Sequence, residues 1–293
     1  MTPLPLLGGN NGTIGNINQR GEIVVVDENN LQDKACPAPQ VLDFQAVVWG
    51  PGRGQIRPLP PLTGDTVSVA FWINELGQAV GASGTCANTM LPPVAFGPRA
   101  VLWEADGTPT DLGNLGGTGD PALGTGNMAL AVNNREQVVG ASVLLGNAIT
   151  HAFLWTRETG MRDLGTLRGD VNSAGLAIND LGEVVGISYG PRGPFDGSGH
   201  PFVWRNGMMT ELKTLIPADA PLSMAFAGGI NNRGEIAGFG RTAQGDFHGV
   251  VLTPNRDGTG AASNAAVVTQ PEDAGATLQP PVAFGRFGAR PPR

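Results

Sequence analysis

Ile178-Asn179-Asp180-Leu181-Gly182-Glu183-Val184-Val185-Gly186 joins two short apolar runs through a four-residue turn. Asn and Asp favour turns because their side chains bond backbone groups two residues on. Gly182 closes the turn and supplies the positive φ that a type I turn followed by a bulge requires. Outward from the turn, the chain reads "DLGTL" (163–167), "SAGLAIN" (173–179), "EVVGIS" (183–188) and "HPFVW" (200–204). Each piece is rich in Val, Ile, Leu or aromatics and is bounded by Gly, Asn, Asp or Pro. That pattern predicts short strands separated by turns, and helical periodicity is missing throughout.

The turn recurs. Asn18, Asn74, Asn133, Asn179 and Asn231 occupy the same place in five copies spaced 46 to 59 residues apart. A fixed period of this length marks an array of supersecondary units. Gly21, Gly77, Gly182 and Gly234 sit three residues after their Asn, whereas the third copy has Glu136. A non-glycine residue there costs about 1 kcal/mol. Four strand kinds repeat: A, ending at the Asn; B, with Val-Val-Gly; C, ending at Trp49, Trp103, Trp155 or Trp204; and D, around Leu59, Leu112, Leu164 and Leu212. Four short antiparallel strands per period is the make-up of a propeller blade.

Strand C has a fifth version, His248–Leu252, while strand D is one short at that end. The N-terminal Leu4–Gly9 resembles the Leu59–Gly64 stretch and supplies the missing D strand. The fold expected is therefore all-β: a five-bladed β-propeller of four-stranded antiparallel blades over residues 3–254, its ring closed by the N-terminal strand pairing in the last blade. Residues 255–293 lack the turn unit and read as a disordered or loosely docked C-terminal tail, with Val282-Ala283-Phe284 its one apolar patch. The tryptophans fixed by the repeat read as packing between blades rather than as a stacking surface.

Net charge is −7 and Lys34 and Lys213 are the two lysines. An acidic chain without a basic run is a poor nucleic-acid binder. No apolar stretch reaches membrane-spanning length. Residues 1–8 lack the features of a secretion signal.

"HAFLW" (His151–Trp155), "DLGTL" (Asp163–Leu167) and "INDLGEVVG" (Ile178–Gly186) together resemble the HAF-repeat family of extracellular bacterial proteins. The resemblance covers about residues 3–254. In the first two copies, "QAVVW" (Gln45–Trp49) and "RAVLW" (Arg99–Trp103) replace the naming motif. It implies secretion or surface exposure and a repeat scaffold, and brings no activity with it.

Cys36 and Cys86 fit such a compartment. Each falls between strands B and C of neighbouring blades, on loops that share a face, so a disulfide is expected. Two unpaired thiols are the alternative. The three histidines, His151, His200 and His248, share one repeat position at the start of strand C, where Gln45 and Arg99 stand in the other copies. A metal reading follows from imidazole chemistry. Equivalent positions in a ring lie too far apart to share an ion, so no metal is expected. Arg168-Gly169-Asp170 matches an adhesion tripeptide, but the repeat places a turn there. The Gly116–Gly126 loop offers one carboxylate, Asp120, too few for calcium.

The B–C and D–A loops are the most variable segments, and variable loops on a rigid scaffold are where binding concentrates. Tyr189, His200, His151, His248 and Arg99 are the candidate ligand-binding residues on that face. The expected function is an extracellular binding scaffold, monomeric and without cofactor, its partner a glycan or a protein. The alternatives are a structural module of a larger surface protein and a propeller hydrolase or lyase; no catalytic residues stand out.

Overall fold

Alternating Val24, Val26 and Val48 on one side of their strands, with Val25, Val47 and Trp49 on the other, give the first sheet two buried faces. The structure is a computed structural model. Its described residues are 4, 7–36, 38–52, 54–89, 97–120, 125–194 and 199–254, with the backbone of 265–267.

Five antiparallel sheets of four strands each follow one another along the chain. The first holds β1 (Gly8–Ile17), β2 (Ile23–Gln32), β3 (Leu42–Trp49) and β4 (Ile56–Leu59). The second holds β5 (Val67–Ile73), β6 (Ala79–Gly84), β7 (Arg99–Trp103) and β8 (Pro109–Asp111). The third holds β9 (Met128–Val132), β10 (Val138–Val143), β11 (Thr150–Thr156) and β12 (Gly160–Gly165). The fourth holds β13 (Asn172–Ile178), β14 (Val184–Tyr189), β15 (His200–Arg205) and β16 (Met208–Glu211), followed by a single-turn 3-10 helix, Leu212–Leu215. The fifth holds β17 (Leu222–Ile230), β18 (Ile236–Thr242), β19 (Phe247–Leu252) and β20 (Ala265–Val267). In every sheet the strands lie side by side in chain order.

The chain divides into two compact units. One contains the first two sheets. Its core packs Val24, Val26, Phe44 and Leu59 of the first sheet against Val67, Val69, Ile73, Val101 and Trp103 of the second. The other contains the last two, with Ala177, Val185, Val203 and Leu212 against Met224, Ile236, Val250 and Leu252.

Each Asn turn does more than reverse the chain. In the first, the Gly21 amide donates to the Asn18 carbonyl and the Asn18 amide donates to the Glu22 carbonyl. Asn18 Oδ1 accepts from the Arg20 and Glu22 amides, which fixes the loop. That leaves Nδ2 free to point outward. It donates to Glu22 Oε2 and, at 3.0 Å, to the backbone carbonyl of Asn74 in the next sheet. Asn74 Nδ2 in turn donates to the Asn133 carbonyl at 2.9 Å, and Asn179 Nδ2 to the Asn231 carbonyl at 3.0 Å. These Asn side chains are therefore buried rungs joining one copy to the next. Asn231 differs: it is exposed, and its Nδ2 donates to Glu235.

Buried serines make a second set of links. Ser68 Oγ on β5 accepts from the Ala46 amide and donates to the Leu59 carbonyl of the preceding sheet. Ser173 Oγ on β13 does the same with Ala152 and Gly165. Both are fully buried. A third regularity explains the glycine of the Val-Val-Gly strand. Strand A bulges between Gly175 and Ala177, which pushes the Ala174 carbonyl toward Gly186 of β14. A Cβ on Gly186 would lie 2.0 Å from that oxygen. Gly81 and Gly238 face the same contact from Val69 and Phe226.

Two expectations are corrected. Gly8 and Gly9, the part of Leu4–Gly9 that forms a strand among the described residues, do not lie in the outer strand of the last sheet. Gly8 opens β1, where it pairs with Asn29 of β2. Thr13, Ile14 and Ile17 pair with β2 and Gly8 and Gly12 extend the same ladder, so this backbone is already hydrogen-bonded within the first sheet. The place beside β19 is taken by β20, from the segment read as a tail. The remainder of 255–293, Val282-Ala283-Phe284 included, lies outside the described residues. Trp49, Trp103 and Trp155 are buried and Trp204 is half-buried; of these, Trp103 packs in the core shared by the first two sheets. Trp103 Nε1 donates to the Pro60 carbonyl at 2.7 Å.

Candidate functional site

The first or second residue of each C strand lies where the B–C loop enters the sheet, beside the D–A connection. Arg99, His151 and His200 there find acids. Arg99 Nε donates to Asp65 Oδ2 at 3.0 Å and Arg99 Nη2 to the Thr63 carbonyl. His200 Nδ1 lies 2.9 Å from Asp170 Oδ2, the corresponding Asp two copies on. His151 takes a different acid of the same repeat, Asp163 on β12, with both carboxylate oxygens 2.9 Å from Nδ1. Burial acts to raise the Asp163 pKa, but the His151 imidazole and the Gly165 amide outweigh it and hold the carboxyl below its usual range. A carboxylate facing Nδ1 fixes the proton there and leaves Nε2 as the acceptor toward solvent. His248 is exposed and makes no side-chain hydrogen bond among the described residues. Tyr189 closes β14 half-buried, and burial pushes its phenol pKa up.

The structure does not gather the five candidates into one site. Among the described residues no histidine joins a group of three metal-capable side chains. His200 lines a cleft, which is open and about 340 Å³ in volume. Its other walls are Leu167 and Arg168 of the D–A connection, Met209, Thr210 and Glu211 of β16, and Thr214. The Arg168 side chain makes no hydrogen bond or ion pair among the described residues and is exposed. Gly169, with φ of 98°, and the Asp170 amide bonded to the Leu167 carbonyl turn the backbone so that Asp170 meets His200 while Arg168 faces the cleft. The adhesion-like tripeptide is thus a turn whose acid is engaged and whose base, among the described residues, makes no ion pair. Arg168 and Glu211 are the site residues that the sequence reading passed over. The signal was the mismatch with the second copy, where Gly64-Asp65 is preceded by Thr63 instead of arginine.

A guanidinium, an imidazole Nε2 and a carboxylate around a small open cleft supply a donor on one side and acceptors on the other two. The volume is at the lower end for small-molecule pockets. Such a set suits a hydroxyl-rich or carboxylate-bearing ligand. No nucleophile with an adjacent base lines it.

Cys36 and Cys86 are joined in a disulfide that ties the first sheet's B–C loop to the second's. Beside it, Asp43 is buried and its Oδ1 has no hydrogen-bond partner. Burial and the neighbouring Asp33 carboxylate both raise its pKa.

No protein-family model matches the chain. No curated protein matches it either. Solved structures similar to it include the β-propeller domain of the Trilobed protease from Pyrococcus furiosus, at 11% identity and TM-score 0.48, covering 86% of this chain and 65% of that one. Dipeptidyl peptidase 4 of Porphyromonas gingivalis is similar at 10% identity and TM-score 0.43, over 79% of this chain and 33% of that one. The Aleuria aurantia lectin is similar at 10% identity and TM-score 0.31, over 92% of this chain and all of that one. The chain therefore spans less than two thirds of the length of the first two. These similarities bring neither a peptidase nor a lectin activity to it.

Proposed function

We propose that the protein is an extracellular binding scaffold that holds a hydroxyl-rich or acidic ligand, a glycan being the first choice, in the cleft formed by Arg168, His200 and Glu211. The observation that supports it is the free Arg168 guanidinium beside an imidazole already oriented by Asp170. Preorganised polar groups lose little entropy on binding, which is how small sites gain affinity. The five sheets are read as blades of one propeller ring of the HAF-repeat kind. The Asn rungs support this, since each ties a copy to its successor. Surface exposure is supported by the disulfide, and among the described residues no helix is long and apolar enough to cross a membrane.

A glycan array containing neutral and acidic sugars tests the function. Binding is expected, and calorimetry of the best hit should show at least a tenfold loss for Arg168→Ala or Glu211→Gln. An array without hits, or affinity unchanged in both variants, would remove the proposal.

A further inference from the structure

A ligand atom from each of Cys36, Asp43 and Cys86 lies within 4.8 Å of the other two. Cys86 is fully buried and Asp43 is 9% exposed. Asp43 Oδ1 has no hydrogen-bond partner, although leaving a carboxylate oxygen buried and unsatisfied is destabilising. The disulfide does nothing to relieve that cost, because a bonded sulfur pair has no proton to donate. Asp33 lies against Asp43 and adds a second carboxylate, with one of its oxygens accepting the Ala35 amide. Two sulfurs and one or two carboxylates, with Asp43 and Cys86 buried and Cys36 and Asp33 half-buried, form a donor set for a borderline divalent cation. Tetrahedral zinc takes thiolates at about 2.3 Å and carboxylate oxygens at about 2.0–2.2 Å, so its ligand atoms stand roughly 3.5–4 Å apart. Breaking the S–S bond lets the two sulfurs separate toward that spacing, with Asp43 already within 4.8 Å of both.

We propose that, when the Cys36–Cys86 disulfide is reduced, Cys36, Cys86 and Asp43 bind one zinc-like divalent cation, with Asp33 or water as the fourth ligand. The same two loops are thus tied either by a covalent bond or by a metal, according to redox state. The chemistry balances with a dithiol as reductant. It gives two electrons and two protons to the S–S bond and becomes a disulfide, leaving two thiols. The cation then displaces both thiol protons into solvent. The oxidised form cannot bind because its sulfurs hold no thiolate.

The experiment is a cobalt titration of the full chain, reduced and freed of reductant without air, followed by thiolate-to-cobalt charge-transfer absorption. One equivalent of Co²⁺ is expected in the reduced chain and none in the oxidised chain, with Zn²⁺ displacing it. Asp43→Asn should weaken uptake at least tenfold, and the Cys36→Ser/Cys86→Ser double variant should abolish it. Near-UV circular dichroism and thermal melting separate site from fold. Zinc should raise the melting temperature of the reduced chain, or restore its near-UV signal if reduction unfolds it. Absence of cobalt uptake with no zinc effect on melting or near-UV signal overturns the proposal. So does an affinity unchanged by Asp43→Asn.

Discussion

At the scale of single residues, the turns show how one repeat position can be strained or satisfied. Glu136 takes φ of 59° where its counterparts are glycines such as Gly182, with φ of 80°. Its side chain recovers part of the cost by pairing with Arg157 at 2.7 Å, but both groups are exposed. Such a pair is worth about 0.2–1 kcal/mol against about 1 kcal/mol of backbone strain. Glu136→Gly should therefore raise stability by a few tenths of a kcal/mol in urea unfolding; a lower midpoint would mean that the ion pair wins. Asp27 is a different case. It is buried among Val25, Val47 and Trp49, and neither its Oδ2 nor Trp49 Nε1 finds a hydrogen bond. Burial raises its pKa from the usual 3.8, and the Trp49 indole offsets part of this. The folded chain then holds the proton more tightly than the unfolded one. Stability from this group falls as pH rises through 3.8 toward the raised value and stays lower above it. Asp27→Asn should stabilise the protein by about 1–2 kcal/mol at pH 7, with the gain vanishing below the ordinary carboxylate range. Melting curves from pH 3 to 8 read this directly.

Between elements, the decisive contacts are polar and close. Asn74 joins its turn to the next copy through a buried Nδ2, while Asn231 has only its own turn to hold. Asn74→Ala should cost about 2–4 kcal/mol, since it strands several buried partners, and Asn231→Ala about 1 kcal/mol or less. Equal losses in chemical denaturation would show that the cross-sheet rung contributes nothing. The strand bulge opposite Gly186 makes a stronger demand. A methyl group there meets a backbone oxygen that cannot rotate away. Gly186→Ala should destabilise by roughly 3 kcal/mol, the upper part of the usual range for overpacking, and unchanged melting would show that the bulge relaxes.

Over the whole molecule, the covalent tie between the first two sheets closes a loop of 50 residues. In the chain-entropy view that is worth about 3–4 kcal/mol. The Cys36→Ser/Cys86→Ser variant should lose that much stability and become insensitive to reductant; a variant as stable as the parent would show that the sheet packing alone holds the loops.

The sequence by itself determined the strand count per repeat, the five turns, the positive-φ glycines and the neighbouring positions of the two cysteines. These follow from local chemistry: turn propensity, alternation and a fixed period act within a few residues of one another. It also exposed the glycine of the Val-Val-Gly strand as a recurring letter, but not its reason, and it gave no notice of Ser173. A carbonyl pushed across by a bulge and an amide from the preceding sheet are visible only once strands pair. The cleft was legible only in part. His200 was marked by its repeat position, whereas Arg168 became a candidate because Asp170 is taken by His200 and the guanidinium is not. Tertiary structure alone decided which segment completes the last sheet, where β20 pairs with β19 while Gly8 extends the β1–β2 ladder. It alone left Asp43 unpartnered beside the two sulfurs, because burial belongs to the packed chain and not to any stretch of it.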